Sequence, residues 1–232
     1  MGVIGELLIT AGILTLLYVV WQLWIGDLIY GAQRDATGQQ QVTQWAEEYV
    51  PPADRPEGDA LPETFEPVIL DQPGDAERFG VMRVPRFGAD YAVEIAGGVS
   101  RARTLDPIGI GHYPDTAMPG EAGNFAVAAH RTTWGKPFNR LADLRIGDPI
   151  VVETPDGWYT YRFRTLEYVT PDQVDVLLPV PQQTGVEATT SYITMTSCSP
   201  MFSLAERIVA YGVFDSFTPR DAGPPVALTE GI

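Results

Sequence analysis

The stretch Ile150-Val-Val-Glu-Thr-Pro-Asp-Gly-Trp-Tyr-Thr-Tyr-Arg-Phe-Arg164 reads as a β-hairpin. Its first arm is β-branched and apolar, and Pro155-Asp156-Gly157 supplies the turn. In the second arm Tyr159, Tyr161 and Phe163 alternate with Thr160, Arg162 and Arg164, the period of a strand with one buried and one polar face. Shorter runs of the same kind lie on both sides: Gly80–Pro85, Tyr91–Ile95, Asn124–His130, Ser191–Thr196 and Arg207–Phe214. Phe138, Leu141 and Leu144 have the spacing of one face of a short helix. Many short strands with turn residues between them and one or two short helices predict a mostly β domain, closed or nearly closed as a barrel.

Outside that region the composition changes. Leu7–Ile25 is an apolar run without charge and spans about 28 Å as a helix, close to the thickness of a bilayer core. Tyr18, Trp21 and Trp24 cluster at its C-terminal end, as interfacial aromatics do. The residues before it are not basic and include Glu6, and no small-residue cleavage site follows, so an uncleaved anchor is expected over a signal peptide. Residues 7–25 would then be the anchor, preceded by residues 1–6; neither flank has a Lys/Arg cluster to signal its orientation. Residues 26–78 are polar and Pro-rich and read as a stalk, with room for a short helix at Gln39–Tyr49. Residues 79–217 form the domain, and 218–232 read as a disordered tail.

Composition excludes several classes. Lys+Arg 15 against Asp+Glu 30 gives a net charge of -15, the wrong sign for a nucleic-acid surface. With 1 cysteine and 2 histidines there is no internal disulfide and no zinc site of the Cys/His type.

The same scarcity draws attention to Cys198, at the end of one predicted strand, and His130, at the end of another. Arg207 opens the strand that follows. A thiolate attacks a carbonyl, an imidazole moves the proton, and a guanidinium stabilises an oxyanion without losing its own charge. From the residues alone the alternatives stay open: an inert core thiol, a solvated strand-initial arginine, or a structural histidine. His112, in the Gly/Pro-rich loop Gly109–Asn124, competes with His130 as the base, or lines a binding groove beside Tyr113.

Thr194-Met-Thr-Ser-Cys198 is similar to the sortase signature T-L-x-T-C, with Met195 and Ser197 as departures. Arg207-Ile-Val lies at the family's expected distance. The segment from Pro119 into His130 resembles the approach to the family's histidine, with Ala129 where glycine is common. His112-Tyr113-Pro-Asp-Thr-Ala is closest to class E, in which a tyrosine replaces a histidine. The resemblance covers about Gly80–Phe214. It implies an eight-stranded sortase barrel held outside the cell of a Gram-positive bacterium by the N-terminal helix, with Cys198, His130 and Arg207 as the catalytic trio. Tyr113, His112, Thr196 and Ser197 would line the substrate groove. The implied activity is a two-step transpeptidation for which neither a cofactor nor a metal is expected. Surface proteins with a C-terminal sorting motif of the LPxTG or LAxTG kind are cleaved after threonine, and the thioacyl enzyme is resolved by an amine of a peptidoglycan precursor or a pilin lysine. A hydrolase using the same three residues and a non-catalytic binding barrel are the competing classes. The Asp-Pro-aromatic tripeptide of lidded relatives does not occur in 35–79.

Overall fold

A computed structural model describes residues 2–21, 25–50 and 64–230. Eight strands close into a barrel in the order β1-β2-β3-β4-β7-β8-β6-β5: β1 Arg78–Arg83, β2 Val93–Gly97, β3 Ile110–His112, β4 Gly123–Ala129, β5 Pro149–Thr154, β6 Gly157–Val169, β7 Ser191–Ser199 and β8 Glu206–Pro219. The hairpin is β5–β6, closed at Thr154↔Gly157. Gly157 takes φ +151° there, a conformation that side chains disfavour. Neighbouring strands are antiparallel except β2–β3 and β4–β7, which run parallel.

Side-chain alternation fills the interior. Tyr159, Tyr161 and Phe163 of β6 meet Phe125 and Val127 of β4, Ile193 and Met195 of β7, and Ile208 and Ala210 of β8 in one buried cluster. Burial of such aromatic and branched side chains is the main stabilising term, about 1.5–3 kcal/mol for each.

Two helices precede the barrel. α1, Val3–Val20, is long and apolar enough to cross a membrane, and none of it is buried in the molecule. Trp24 of the expected interfacial cluster lies outside the described residues. α2, Gly26–Glu48, corrects the expectation of a flexible stalk through this part of 26–78. Its residues lack a strong apolar stripe, yet Val42 and Trp45 pack against Val81 and Ala92 of the barrel. Asp35 accepts a hydrogen bond from Ala92 N at 3.2 Å, and the buried Arg34 donates to the carbonyls of Leu105 and Asp106. Gly38 lets the helix lie directly on the barrel, since a Cβ there would stand 2.1 Å from Ala92 O. Tertiary contact supplies what the sequence pattern lacked.

The expected disordered tail is corrected as well. Residues 218–230 are ordered, with 3-10 turns at Arg220–Ala222 and Val226–Thr229. Arg220 is buried, donates to Pro155 O at 2.9 Å and Glu153 Oε1 at 3.2 Å, and lies over the Trp158 ring. Ala227 packs on Val151 and Trp158. One buried ion pair and an apolar contact hold a Pro/Gly-rich segment whose composition alone reads as disorder.

Replacing Gly38 with alanine is expected to force α2 off Ala92 and to destabilise the protein by about 1–3 kcal/mol. Thermal unfolding and limited proteolysis within α2 measure this; an unchanged midpoint with α2 still protected would contradict the close approach.

Candidate active site

Strand register brings the three candidate residues together. Cys198 is paired with Arg207 across β7–β8. On the other side, β4 and β7 run parallel with Ala128 opposite Thr196. His130, one residue past β4, continues that register to the level of Cys198. The three therefore stand in one row on three adjacent strands. Because Ile193 and Met195 point into the core, Thr194, Thr196 and Cys198 face outward, as do Ala128 and His130 on β4 and Arg207 and Val209 on β8.

A groove of about 550 Å³ opens over this row. Its lining includes His130, Thr132 and Thr133 after β4, Cys198 and Thr196 on β7, and Phe202, Leu204 and Arg207 around the β7–β8 connection. Cys198 is partly exposed. Its carbonyl accepts from Arg131 Nη1 at 3.3 Å. Arg207 Nη1 donates to the carbonyls of Leu204 at 3.1 Å and Glu206 at 2.9 Å, which fixes the guanidinium over its own loop.

His130 is held from two sides. Its backbone carbonyl accepts from Phe138 N at 3.0 Å, and its Nε2 lies 2.6 Å from Asp106 Oδ1. A carboxylate only accepts, so Nε2 carries the hydrogen and Nδ1 is left as the free nitrogen of a neutral ring. Asp106 is absent from the sequence reading. It lies 24 residues from His130, follows a π-helical turn at Arg101–Leu105, and precedes Pro107 in a stretch with no periodicity. Only the crossover between β2 and β3 carries it to the histidine.

The structure separates the four residues expected in the groove. Tyr113 and Thr196 are in it, joined at 3.1 Å through their hydroxyls. Thr196 Oγ1 in turn donates to Val127 O at 3.3 Å, so the tyrosine is the donor to the threonine. Ser197 also borders the groove, but its hydroxyl turns away from it: it is buried and donates to Ala129 O at 2.7 Å. His112 is not a groove residue. On β3 it shares the inward face with Ile110, is 1% exposed, and stacks on Phe125 at 5.2 Å with Phe79 edge-on. Its Nε2–H is shared between Ala117 O at 3.1 Å and Thr116 Oγ1 at 2.9 Å. Strand alternation places neighbours His112 and Tyr113 on opposite sides of the barrel wall. Met195 is likewise fully buried in the core, so this departure from the signature is a packing substitution and not a change in the groove. Among the described residues no group of three or more His, Cys, Asp or Glu is placed to hold a metal ion.

Fold and groove together define a β-barrel protein with a cysteine-centred cleft on its outer wall. A family model described as Sortase domain matches residues 82–215. Sortase SrtE1 of Streptomyces coelicolor is 38% identical over 231 residues, 97% of this chain; the chain spans 60% of that protein's length. Two solved structures share the barrel. Sortase E1 from S. coelicolor with a tripeptide in the active site gives a TM-score of 0.62 at 37% identity over 67% of this chain and 99% of that one. SrtA sortase from Actinomyces oris gives 0.66 at 34% identity over 70% and 93%. The chain belongs to the sortase family, a family of cysteine transpeptidases, and its likeness is to the class E members.

Burial lowers the His112 pKa from 6.5 to about 4, with the Ala117 carbonyl and Glu121 opposing. Between these values the unfolded chain takes up a proton that the folded one refuses. Stability therefore falls as pH drops from 6.5 to 4, by about 3 kcal/mol from this residue. His112→Gln is expected to flatten the pH dependence of thermal unfolding in that window; an unaltered slope would show that His112 titrates normally in the fold.

Proposed function

We propose that this chain is a membrane-anchored class E sortase in which Cys198 is the nucleophile, His130 its proton partner and Arg207 the oxyanion stabiliser. The observation that carries this reading is the register placing all three in one outward row above one groove. In the first step the Cys198 thiolate attacks the carbonyl of the threonine in a sorting motif of the LPxTG or LAxTG kind. Arg207 donates to the developing oxyanion through the guanidinium hydrogens not committed to Leu204 and Glu206. The thiol proton passes to Nδ1 of His130, the nitrogen not engaged by Asp106, as the thiolate forms, and the leaving amine takes that proton from the charged ring as the peptide C–N bond breaks. An amine acceptor from a peptidoglycan precursor or a pilin lysine then attacks the thioacyl enzyme, and the histidine takes up its proton. The products are surface proteins joined to the cell wall or to pili.

Asp106 acts through His130. Fixing the Nε2 hydrogen keeps the ring in one tautomer and one orientation, and a carboxylate stabilises the charged ring. Tyr113, with its hydroxyl tied to Thr196, forms the groove wall that positions the motif. α1 anchors the chain in the membrane with its N-terminal end, including Glu6, toward the cytoplasm, and the barrel is outside the cell. The sortase family and the tripeptide in the active site of the S. coelicolor relative support a peptide substrate here.

With a fluorogenic LAxTG-type peptide and an added amine, Cys198→Ala and His130→Ala are each expected to abolish cleavage, and the parent chain to yield the amine adduct. Near-normal turnover by either variant would refute its role, and release of free acid alone at high amine concentration would make the chain a hydrolase. Asp106→Asn is expected to lower kcat by roughly 10²-fold with little change in KM for the peptide, measured by steady-state kinetics. A loss confined to KM would make Asp106 a groove residue instead of a positioning one.

A further inference from the structure

The end of the barrel that carries the groove is also the end nearest the apolar helix. β4 and β7 both finish there, and each is followed by a connection with a bulky aromatic tip. After β4 the tip is Trp134, and after β7 it is Phe202. Both have positive φ, 55° and 64°, a backbone region that bulky side chains seldom occupy. The connection after β4 is fastened to the first turns of α2. Gly135 N donates to Asp27 Oδ1 at 3.4 Å, Lys136 Nζ lies 3.4 Å from Asp27 Oδ2, and the Tyr30 and Trp134 rings meet edge-to-face at 5.5 Å. Asp27 is two residues beyond Ile25, about 3 Å along a helix. The segment Trp134–Lys136, in the connection that follows His130, is therefore pinned within a turn of helix of the predicted membrane boundary.

Exposed apolar side chains collect on the same rim. Phe202 is 83% exposed, Leu204 70%, Met201 46% and Trp134 38%. Leu28 and Ile29 of α2 are also exposed and carry the apolar surface from α1 toward Trp134. Phe202 and Leu204 also line the groove, so a bound peptide would account for part of their exposed surface. Met201 and Trp134 are not among its lining residues, so substrate does not account for them. Solvated apolar side chains clustered beside a membrane span are covered by lipid at little cost. The net charge of -15 offers no general attraction to anionic headgroups, so the contact rests on these apolar tips.

We infer that the groove-bearing rim, with Trp134, Met201, Phe202 and Leu204 at its tips, sits in the headgroup layer of the lipid bilayer that α1 spans, so that the cleft opens at the membrane surface and not toward bulk water. This rests on α1 as a membrane anchor. It means that substrate and acceptor are met at the lipid surface and approach along it.

The test uses the full chain in the Cys198→Ala background, reconstituted into phosphatidylcholine–phosphatidylglycerol vesicles. A single cysteine is placed at Met201, at Phe202, or at Pro155 in the turn at the opposite end, and is labelled with an environment-sensitive fluorophore. The expected result is blue-shifted emission at Met201→Cys and Phe202→Cys that is quenched by lipids carrying a doxyl group high on the acyl chain, with unquenched, water-like emission at Pro155→Cys. If the chain floats with the vesicles but the rim labels are quenched no more than the Pro155→Cys label, the docking is overturned and the anchor stands. Equal quenching at all three sites also overturns it, because the barrel then has no preferred face. Failure to float with the vesicles overturns anchor and docking together.

Discussion

The parallel pairing of β4 with β7 is the constraint on which the rest of the site depends. Sequential strands in small barrels are usually joined as antiparallel hairpins; here residues 130–190 leave β4, build the β5–β6 hairpin, and return so that β7 enters beside β4 in the same direction. Both strands then end on one rim. Parallel register puts His130 level with Cys198, and the antiparallel β7–β8 pair puts Arg207 on the other flank. A shift of one residue in either register would turn Cys198 inward or separate it from a partner. The core guards against such a slip: Met195, Ile193, Val127 and Ile208 all interlock inside, and each would have to move to the solvent face.

A second layer of order surrounds the histidine. Asp106 binds its ring, and the carbonyl of the same Asp106 accepts from the buried Arg34 of α2. Arg34 is further held by the Tyr30 ring at 5.3 Å, and Tyr30 by Trp134. The chain segment between α1 and the barrel is thus part of the support for His130 and not a passive tether. Its buried guanidinium is costly unless the carbonyls of Leu105 and Asp106 remain in place, so α2 and the turn at Arg101–Leu105 order each other.

Much of the barrel was legible because its strands alternate. The second arm of the β5–β6 hairpin shows the period of two, and Tyr159, Tyr161 and Phe163, which it set on one face, are buried in the core. β3 was not legible: three residues, Ile110–His112, within a loop rich in glycine and proline carry no periodicity. Its absence from the reading misplaced His112, because only knowing that it belongs to a strand assigns it the face opposite Tyr113. α2 was legible in part, as a short helix at its C-terminal end. The N-terminal half, Gly26–Gly38, has glycine at three positions and no apolar stripe, and it is helical because it lies on the barrel.

The sequence by itself determined the chemistry available. One cysteine, two histidines and an arginine at strand boundaries restrict a nucleophilic site to very few residues, and the spacing from Thr194 to Arg207 carries the family likeness. It also determined an apolar N-terminal helix, since composition alone makes α1 long and apolar enough for a bilayer. The tertiary structure decided which histidine stands beside the thiol, that Asp106 orients it, and that residues 26–48 and 218–230 are ordered. The physical reason is the same in each case. Alternation and composition are local properties of the chain, whereas the register between β4 and β7, the seat of Arg34 and the burial of Arg220 are contacts between segments far apart in sequence.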